Sequence, residues 1–534
     1  LDAPVTAMMS NTALSATWLP PVIAPLSPLG ILLSTVWSPD PDGLDVTAYR
    51  IELEDEGVYR IDRDWLTGQG LGAGEINALN LTALRLYHLG DEVAAYVYDQ
   101  DSDDLLDAGD YIEFYGRPVN PTYAKYTRSN IYWLVSGGIG SAVRMGTLDA
   151  TPAAGVDPGT HVFTVHHEQD QTYMQTAAGQ DSIDRWLFSA VAWGDWGGSQ
   201  PAKEFVPVDF SVALPAVGGD DTGTVLVRLY AKYNSDHEVL LEVNGNDYGS
   251  HNWSGIGFTE VEITNAGLLD GDNTVSITCT SSEDKIMVDY IDVTYDREFI
   301  ADSDTLKFSH QTGYRFHVAG LTGNDIIALD VTDPNDVQRL VNFTISGGGP
   351  YTLDMDPPDA GSEDRTDYVL DDDQVLQPSS LQIDEAASLA DTANGADYIL
   401  ITHHSLGWDG GGDRQSWLED IVALREAQDL RVMVVDVQDI YDEFSYGLVT
   451  PQAIKDFLSY AYSNWSEPAP RYVLLVGDSC YDFKDNWAVG TGIQVPSYLT
   501  YTTYLGETVT DEWFVQISGR DAVADMYIGR LPAK

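Results

Sequence analysis

Cysteine, basic side chains and long apolar runs are all scarce in this sequence. Two cysteines in 534 residues, Cys279 and Cys480, cannot form a disulfide framework, and they fall in segments that read as different domains. Only 27 Lys and Arg stand against 84 Asp and Glu, a formal charge of -57. Phosphate backbones are repelled by such a chain, which excludes nucleic acid as a partner and argues against anionic membrane surfaces. No stretch reaches the roughly 18 apolar residues of a membrane-spanning helix. The best one, residues 19–36, is interrupted by Pro20, Pro21, Pro25 and Pro28. Leu1 is not an initiator Met and no basic leader precedes it, so a signal peptide is expected to be already removed or never part of this chain. What is present in quantity is acid. A strongly acidic surface suits an extracellular protein in water whose ions screen self-repulsion. A hydrophobic fraction of 43% is enough for packed cores and rules out wholesale disorder.

The hydrophobic pattern divides the chain into five parts. Residues 1–45, rich in Pro, Ser and Ala, read as a linker or the tail of a preceding domain. Residues 46–155 alternate with period two and read as a small β domain. Ala48 to Leu53 and Val58 to Ile61, with Glu56-Gly57 between, predict a hairpin, and Leu84 to Leu89 with Glu92 to Tyr98 predict another. Residues 156–300 carry short strands at even spacing with Gly, Asn and Asp turns, the pattern of a jelly-roll-like β-sandwich. Residues 301–383 read as a β-rich connector. From 384 to 534 the period changes. Strands at Asp397 to Thr402, Arg431 to Val437, Tyr472 to Val476 and Met526 to Ile528 alternate with helices at Gln415 to Gln428 and from Pro451 to about Asn464. The first helix is expected to bury Trp417, Leu418, Ile421 and Leu424, the second Ile454, Phe457, Leu458 and Ala461. Thr450 is the expected N-cap of the second helix, with Pro451 at its first position. The fold class is therefore multidomain: all-β domains, then a three-layer α/β domain with a parallel sheet.

Three groups of residues could carry chemistry. Asp99, Asp101, Asp103, Asp107 and Asp110 occupy positions 1, 3, 5, 9 and 12 of a twelve-residue loop, the carboxylate spacing of an EF-hand calcium loop. Position 6 is Asp104 rather than Gly and the flanks read as strands, so a solvated acidic loop is the competing reading. Asp371 to Asp373 is a second, shorter acidic run. Trp186, Trp193, Trp196 and Trp253 in the sandwich could stack on sugar rings, or simply pack the core. Cys480 follows the third α/β strand, and His403 and His404 follow the first. Functional groups gather at such carboxyl ends, so Cys480 with one of these histidines is a fallback dyad.

The wording of the chain then matters. The segments VVDVQDIYDEF (434–444), YVLLVGD (472–478) and YIGRLP (527–532), with DYIEFYG (110–116) and LDVTDP (329–334) upstream, resemble the gingipain-like cysteine peptidases of bacteria. That family has a caspase-type fold, related in layering to flavodoxin. The resemblance implies a secreted or surface cysteine endopeptidase acting on protein or peptide substrates, with calcium as a structural cofactor. In the family the nucleophilic Cys and the general-base His lie in a second α/β half, after the IGRLP-type strand. No His follows His404 here, and neither Cys480 nor His404 matches the family dyad. No catalytic residue is carried over. The catalytic half is expected on a second polypeptide or a C-terminal continuation. The alternative is a non-catalytic surface, structural or carbohydrate-binding protein that uses its β domains.

Overall fold

The computed structural model describes residues 47–533 except 139, 189–205, 282–283, 311–312, 358–363, 385–386, 491 and 520. The first β region is built from two sheets around Ile51, Leu53, Ile61, Phe114, Tyr132 and Leu134. The hairpin expected over 48–61 does not form. Ala48–Leu53 is hydrogen-bonded on both edges, to Asn130–Ser136 and to Ser380–Ile383, so no edge remains for Gly57–Asp62. That strand instead joins Tyr111–Gly116 in a separate three-stranded sheet. The other expected hairpin is present as Leu84–His88 against Asp91–Val93, after which Tyr96–Tyr98 crosses to the second sheet.

The sandwich consists of two four-stranded antiparallel sheets. Asp236–Val243 alternates inward and outward along its length, and Val225, Val227, Leu229, Val239, Leu241 and Ile277 fill the space between the sheets. The described strands between 301 and 383 tie the β region together. Gln338–Val341 pairs in parallel with Gly146–Asp149, a strand from before the sandwich, and Ser380–Ile383 returns to the first sheet. The sandwich is thus an insertion between two strands that lie side by side.

The α/β module has a four-stranded parallel sheet in the order Val432–Asp436, Tyr398–Thr402, Tyr472–Val476, Tyr527–Leu531. Helices cover both faces. Val437–Ser445 and Pro451–Asn464 pack Ile440, Phe444, Ile454 and Phe457 onto one face. Ser416–Glu426 packs Leu418 onto the other. Its buried residues are Leu418 and Val422, one turn apart, while Leu424 is 55% exposed. The expected stripe was therefore rotated at its C-terminal end. Thr450 caps the Pro451–Asn464 helix through its side chain, as expected. Two strands were not expected, Tyr498–Thr502 and Gly506–Thr510, which form a hairpin outside the parallel sheet. Among the described residues, no helix is long and apolar enough to cross a membrane.

Candidate functional site

The strand order places the first strand between the second and the third. The connections leave it in opposite directions, and a crevice opens at the carboxyl ends where they part. His403 follows the first strand, Gln438 the second, and Phe483 and Gln494 belong to the long loop after the third. With Tyr441 and Arg128 they line a cleft of about 420 Å³. One wall, including Tyr126 and Arg128, comes from the first β region. The Tyr441 hydroxyl is buried there without a hydrogen-bond partner, and desolvation pushes its pKa up. His403 caps the short helix His404–Gly407, its Nδ1 accepting from the Ser405 backbone N–H at 3.1 Å. Burial holds its pKa below the usual value, against the pull of Asp436. His404 is exposed, with Nδ1 3.4 Å from Asp436 Oδ2 and its ring stacked on Trp408.

Cys480 is half-buried, and its Sγ accepts from the Asp482 backbone N–H at 3.4 Å. Among the described residues no hydrogen bond or ion pair joins it to His403 or His404. It lies in a loop held by backbone turns. The Asp482 carboxylate accepts from the backbone N–H groups of Asn486 (2.8 Å) and Trp487 (3.1 Å). General-base catalysis needs hydrogen-bond reach or one bridging water; the polar contacts of Cys480, His403 and His404 run to Asp482, Ser405 and Asp436.

The acidic loop is partly assembled. Asp99, Asp101 and Asp103 bring one carboxylate oxygen each within 4.8 Å of the others, a set of hard oxygen donors that fits calcium. Asp104, at the position where Gly is usual, has φ 64°, so the backbone makes the turn without glycine. Asp110 does a different job. It is buried and accepts from the N–H groups of Gln100 (2.8 Å) and Asp107 (3.0 Å), which closes the loop on itself. Asp107 is outside the cluster of three, and desolvation and then Asp110 push its pKa up. In the 371–373 run, Asp371 caps a short 3₁₀ turn and Asp372 pairs with Arg60.

The tryptophans have structural places. Trp186 is buried against Trp487 (ring centroids 5.3 Å apart), and Tyr173 stacks on Tyr481 at 4.4 Å. Trp253 lies 5.1 Å from the His237 ring and packs on the sandwich core. Trp193 and Trp196 lie outside the described residues. The seam between the sandwich and the α/β module also holds a buried ion pair that the sequence did not reveal. Arg185 Nη1 lies 2.8 Å from Glu507 Oε1, and both side chains are 1% exposed. Lys125 Nζ is 2.6 Å from the same oxygen, and the Tyr173 hydroxyl donates to Glu507 Oε2. In a chain with 84 acids no single Glu stands out. The only signal was its place beside a glycine turn in an alternating run.

Comparison with known proteins bears on the same module. Residues 391–534 match the model of peptidase family C25. No curated protein matches the chain by sequence. Among solved structures, the dimeric latent PorU of Porphyromonas gingivalis superposes with a TM-score of 0.63 at 16% identity, over 92% of this chain and 48% of that one. This chain therefore spans about half of the PorU chain. A carbohydrate-binding module, the CBM36-1 domain of a xylanase from the hindgut metagenome of Trinervitermes trinervoides, aligns with 24% of this chain and 96% of its own length. It does so at 14% identity and a TM-score of 0.17, too low to carry an argument. The resemblance read from the sequence holds at the level these matches reach: residues 391–534 match peptidase family C25, and the chain shares the fold of part of latent PorU.

Proposed function

We propose that this chain is the β-rich region and first α/β half of a secreted or surface gingipain-like cysteine endopeptidase. Its catalytic Cys and His belong to a second half, on a partner polypeptide or a continuation of the chain. The observation that carries this reading is the last strand of the parallel sheet. Among the described residues, Tyr527–Leu531 pairs only with Tyr472–Val476. Along it Tyr527 is 75% and Leu531 47% exposed. An open apolar edge invites pairing with whatever comes next, and a second α/β half continuing the sheet would cover it. In such an enzyme a thiolate attacks the peptide carbonyl, an imidazole carries the proton to the leaving amine, and backbone N–H groups hold the oxyanion. The residues of this chain serve as scaffold: the β region walls the crevice and the first half presents the edge on which the second aligns.

Calcium belongs to the same reading as a structural ion on Asp99, Asp101 and Asp103. A chelator is then expected to lower the melting temperature of the wild-type chain and to act less on Asp99→Asn; equal effects on the two count against it. For the reading as a whole, the test is intact mass after purification from the native host. A species heavier than 58.5 kDa, or a 58.5 kDa chain with a second fragment bound, is expected. A lone 58.5 kDa species that hydrolyses peptides overturns it, and a lone inactive one returns the protein to the non-catalytic alternative.

A further inference from the structure

The crevice at the carboxyl ends of the parallel sheet is lined by polar groups that the fold leaves over. Tyr441 is 3% exposed, and its hydroxyl is buried with no hydrogen-bond partner. Leaving such a group bare is costly, so it calls for a partner that the chain itself does not supply. His403 lines the same cleft. Its Nδ1 accepts from the Ser405 backbone N–H, so the neutral ring carries its proton on Nε2. Among the described residues that Nε2 has no partner. Arg128 stands on the wall that the first β region supplies. Among the described residues its guanidinium bonds the neutral Asn486 Oδ1 at 2.6 Å and forms no ion pair. The chain has 84 acids to offer 27 bases, yet none is placed on this one. The acids of the lining do not fill the gap. Asp485 accepts from the backbone N–H groups of Val489 (3.0 Å) and Gly490 (3.1 Å), which ties it to its own loop. Glu54 is exposed at the cleft and, among the described residues, also without an ion pair. Val449, Phe483 and Pro496 add apolar surface.

We propose that this cleft binds the α-carboxylate end of an amino acid or of a short peptide with an apolar side chain. The guanidinium of Arg128 suits a carboxylate, which it can hold through two parallel hydrogen bonds. The Tyr441 hydroxyl and the His403 Nε2–H are donors for further acceptor oxygens of the ligand. Glu54 is an acceptor for the nitrogen next to the carboxylate, an ammonium in a free amino acid and an amide N–H in a peptide. Val449, Phe483 and Pro496 offer contact to an apolar side chain. The cleft holds about 420 Å³, within the roughly 300–1,000 Å³ of pockets that bury small ligands. Arg128 and Glu54 belong to the first β region, Tyr441 and His403 to the α/β module, so the ligand bridges the two. Neither Cys480 nor the last strand of the sheet lines the cleft. Binding here is therefore separate from peptide hydrolysis and from the place of the catalytic pair.

Ligand-observed NMR on the full chain tests this, with leucine, N-acetyl-leucine and leucinamide as probes. Leucine carries the carboxylate as a free amino acid and N-acetyl-leucine carries it as a peptide end, while leucinamide has none. Saturable binding of leucine or N-acetyl-leucine is expected, with leucinamide at least about tenfold weaker, the discrimination that a charged hydrogen-bonded pair supplies. The tighter of the two carboxylates identifies the source of the ligand. No saturable binding of either, or leucinamide binding within tenfold of them, overturns the proposal. Arg128→Gln is expected to weaken the tighter probe about tenfold, and Tyr441→Phe about fivefold, the loss of one hydrogen bond. Unchanged binding in either variant overturns the proposal. Tyr441→Phe is also expected to leave the melting temperature of the ligand-free chain level or higher, because it removes a buried hydroxyl that has no partner. If Tyr441→Phe fails to fold, Arg128→Gln, at an exposed position, decides.

Discussion

Two residues hold the α/β module to the β region at a cost that makes them sensitive. Arg185 and Glu507 are ionised groups taken almost wholly out of water. Their burial is tolerable because the partners are complete. Arg185 also donates to the carbonyls of Ala177 and Ile183, each at 3.1 Å, and Glu507 receives Lys125 and Tyr173 as well. Removing one partner of such a pair strands the other, which costs about 3–5 kcal/mol. Glu507→Ala is thus expected to destabilise the module by about that much in urea denaturation, and a loss below about 1 kcal/mol would mean the pair is not buried in solution. Another residue reports through pH. Asp442 is buried on the Val437–Ser445 helix, and desolvation, opposed by Arg50, raises its pKa from 3.8 to about 7. The folded state therefore binds a proton that the unfolded state releases. The stability this gives is complete below about pH 4 and lost as pH rises through about 7. Asn at this position keeps the acceptor for Gln438, 2.8 Å away, and never ionises. The advantage of Asp442→Asn over wild type should grow from about pH 5 to about pH 8 by roughly 2.5 kcal/mol. A constant difference in melting temperature across that range contradicts the burial argument. Neither role was legible beforehand. Glu507 and Asp442 look like any other acid until the fold removes their water.

At the scale of elements, strong local signals were read well and shared edges were not. The Thr450-Pro451 start and the four apolar positions of the second helix carried their own physics: a side-chain cap, a fixed φ and a 3.6 period. The helix Val437–Ser445 was missed because it begins on Asp436, the last residue of a strand, with no turn residue between them. The period changes there without punctuation. The 48–61 hairpin failed for the opposite reason. The chain does bend at Asp55, but a strand with partners on both edges has nothing left to offer its neighbour. The Tyr527–Leu531 edge is the case with a functional consequence. With no strand paired on its outer side among the described residues, the isolated chain is expected to associate with itself through this strand. Tyr527→Lys with Leu531→Lys should reduce that association in sedimentation velocity. The melting temperature should hardly move, since exposed substitutions usually shift stability within about 0.5 kcal/mol. Self-association untouched by the two lysines would place the sticky surface elsewhere.

For the whole molecule, the change from β to α/β near residue 384 was legible because hydrophobic period is a local property of sequence. The interleaving of the β region was not. Gly146–Asp149 finds its partner in Gln338–Val341 and Ser380–Ile383 returns to Ala48–Leu53, pairings set by three-dimensional closure across the inserted sandwich. The candidate dyad shows the same limit. Topology allowed Cys480 and the histidines to share one end of the sheet, but the contact that Cys480 makes, with the Asp482 backbone N–H, depends on the path of the loop. The decisive measurement follows from that geometry. The purified chain alone, as wild type and as Cys480→Ala, should be assayed on a fluorogenic peptide library and treated with a thiol-directed activity probe. If the catalytic Cys and His lie in a second α/β half, neither form hydrolyses any peptide. Hydrolysis by the wild type that Cys480→Ala abolishes would place the active site in this chain and contradict that division.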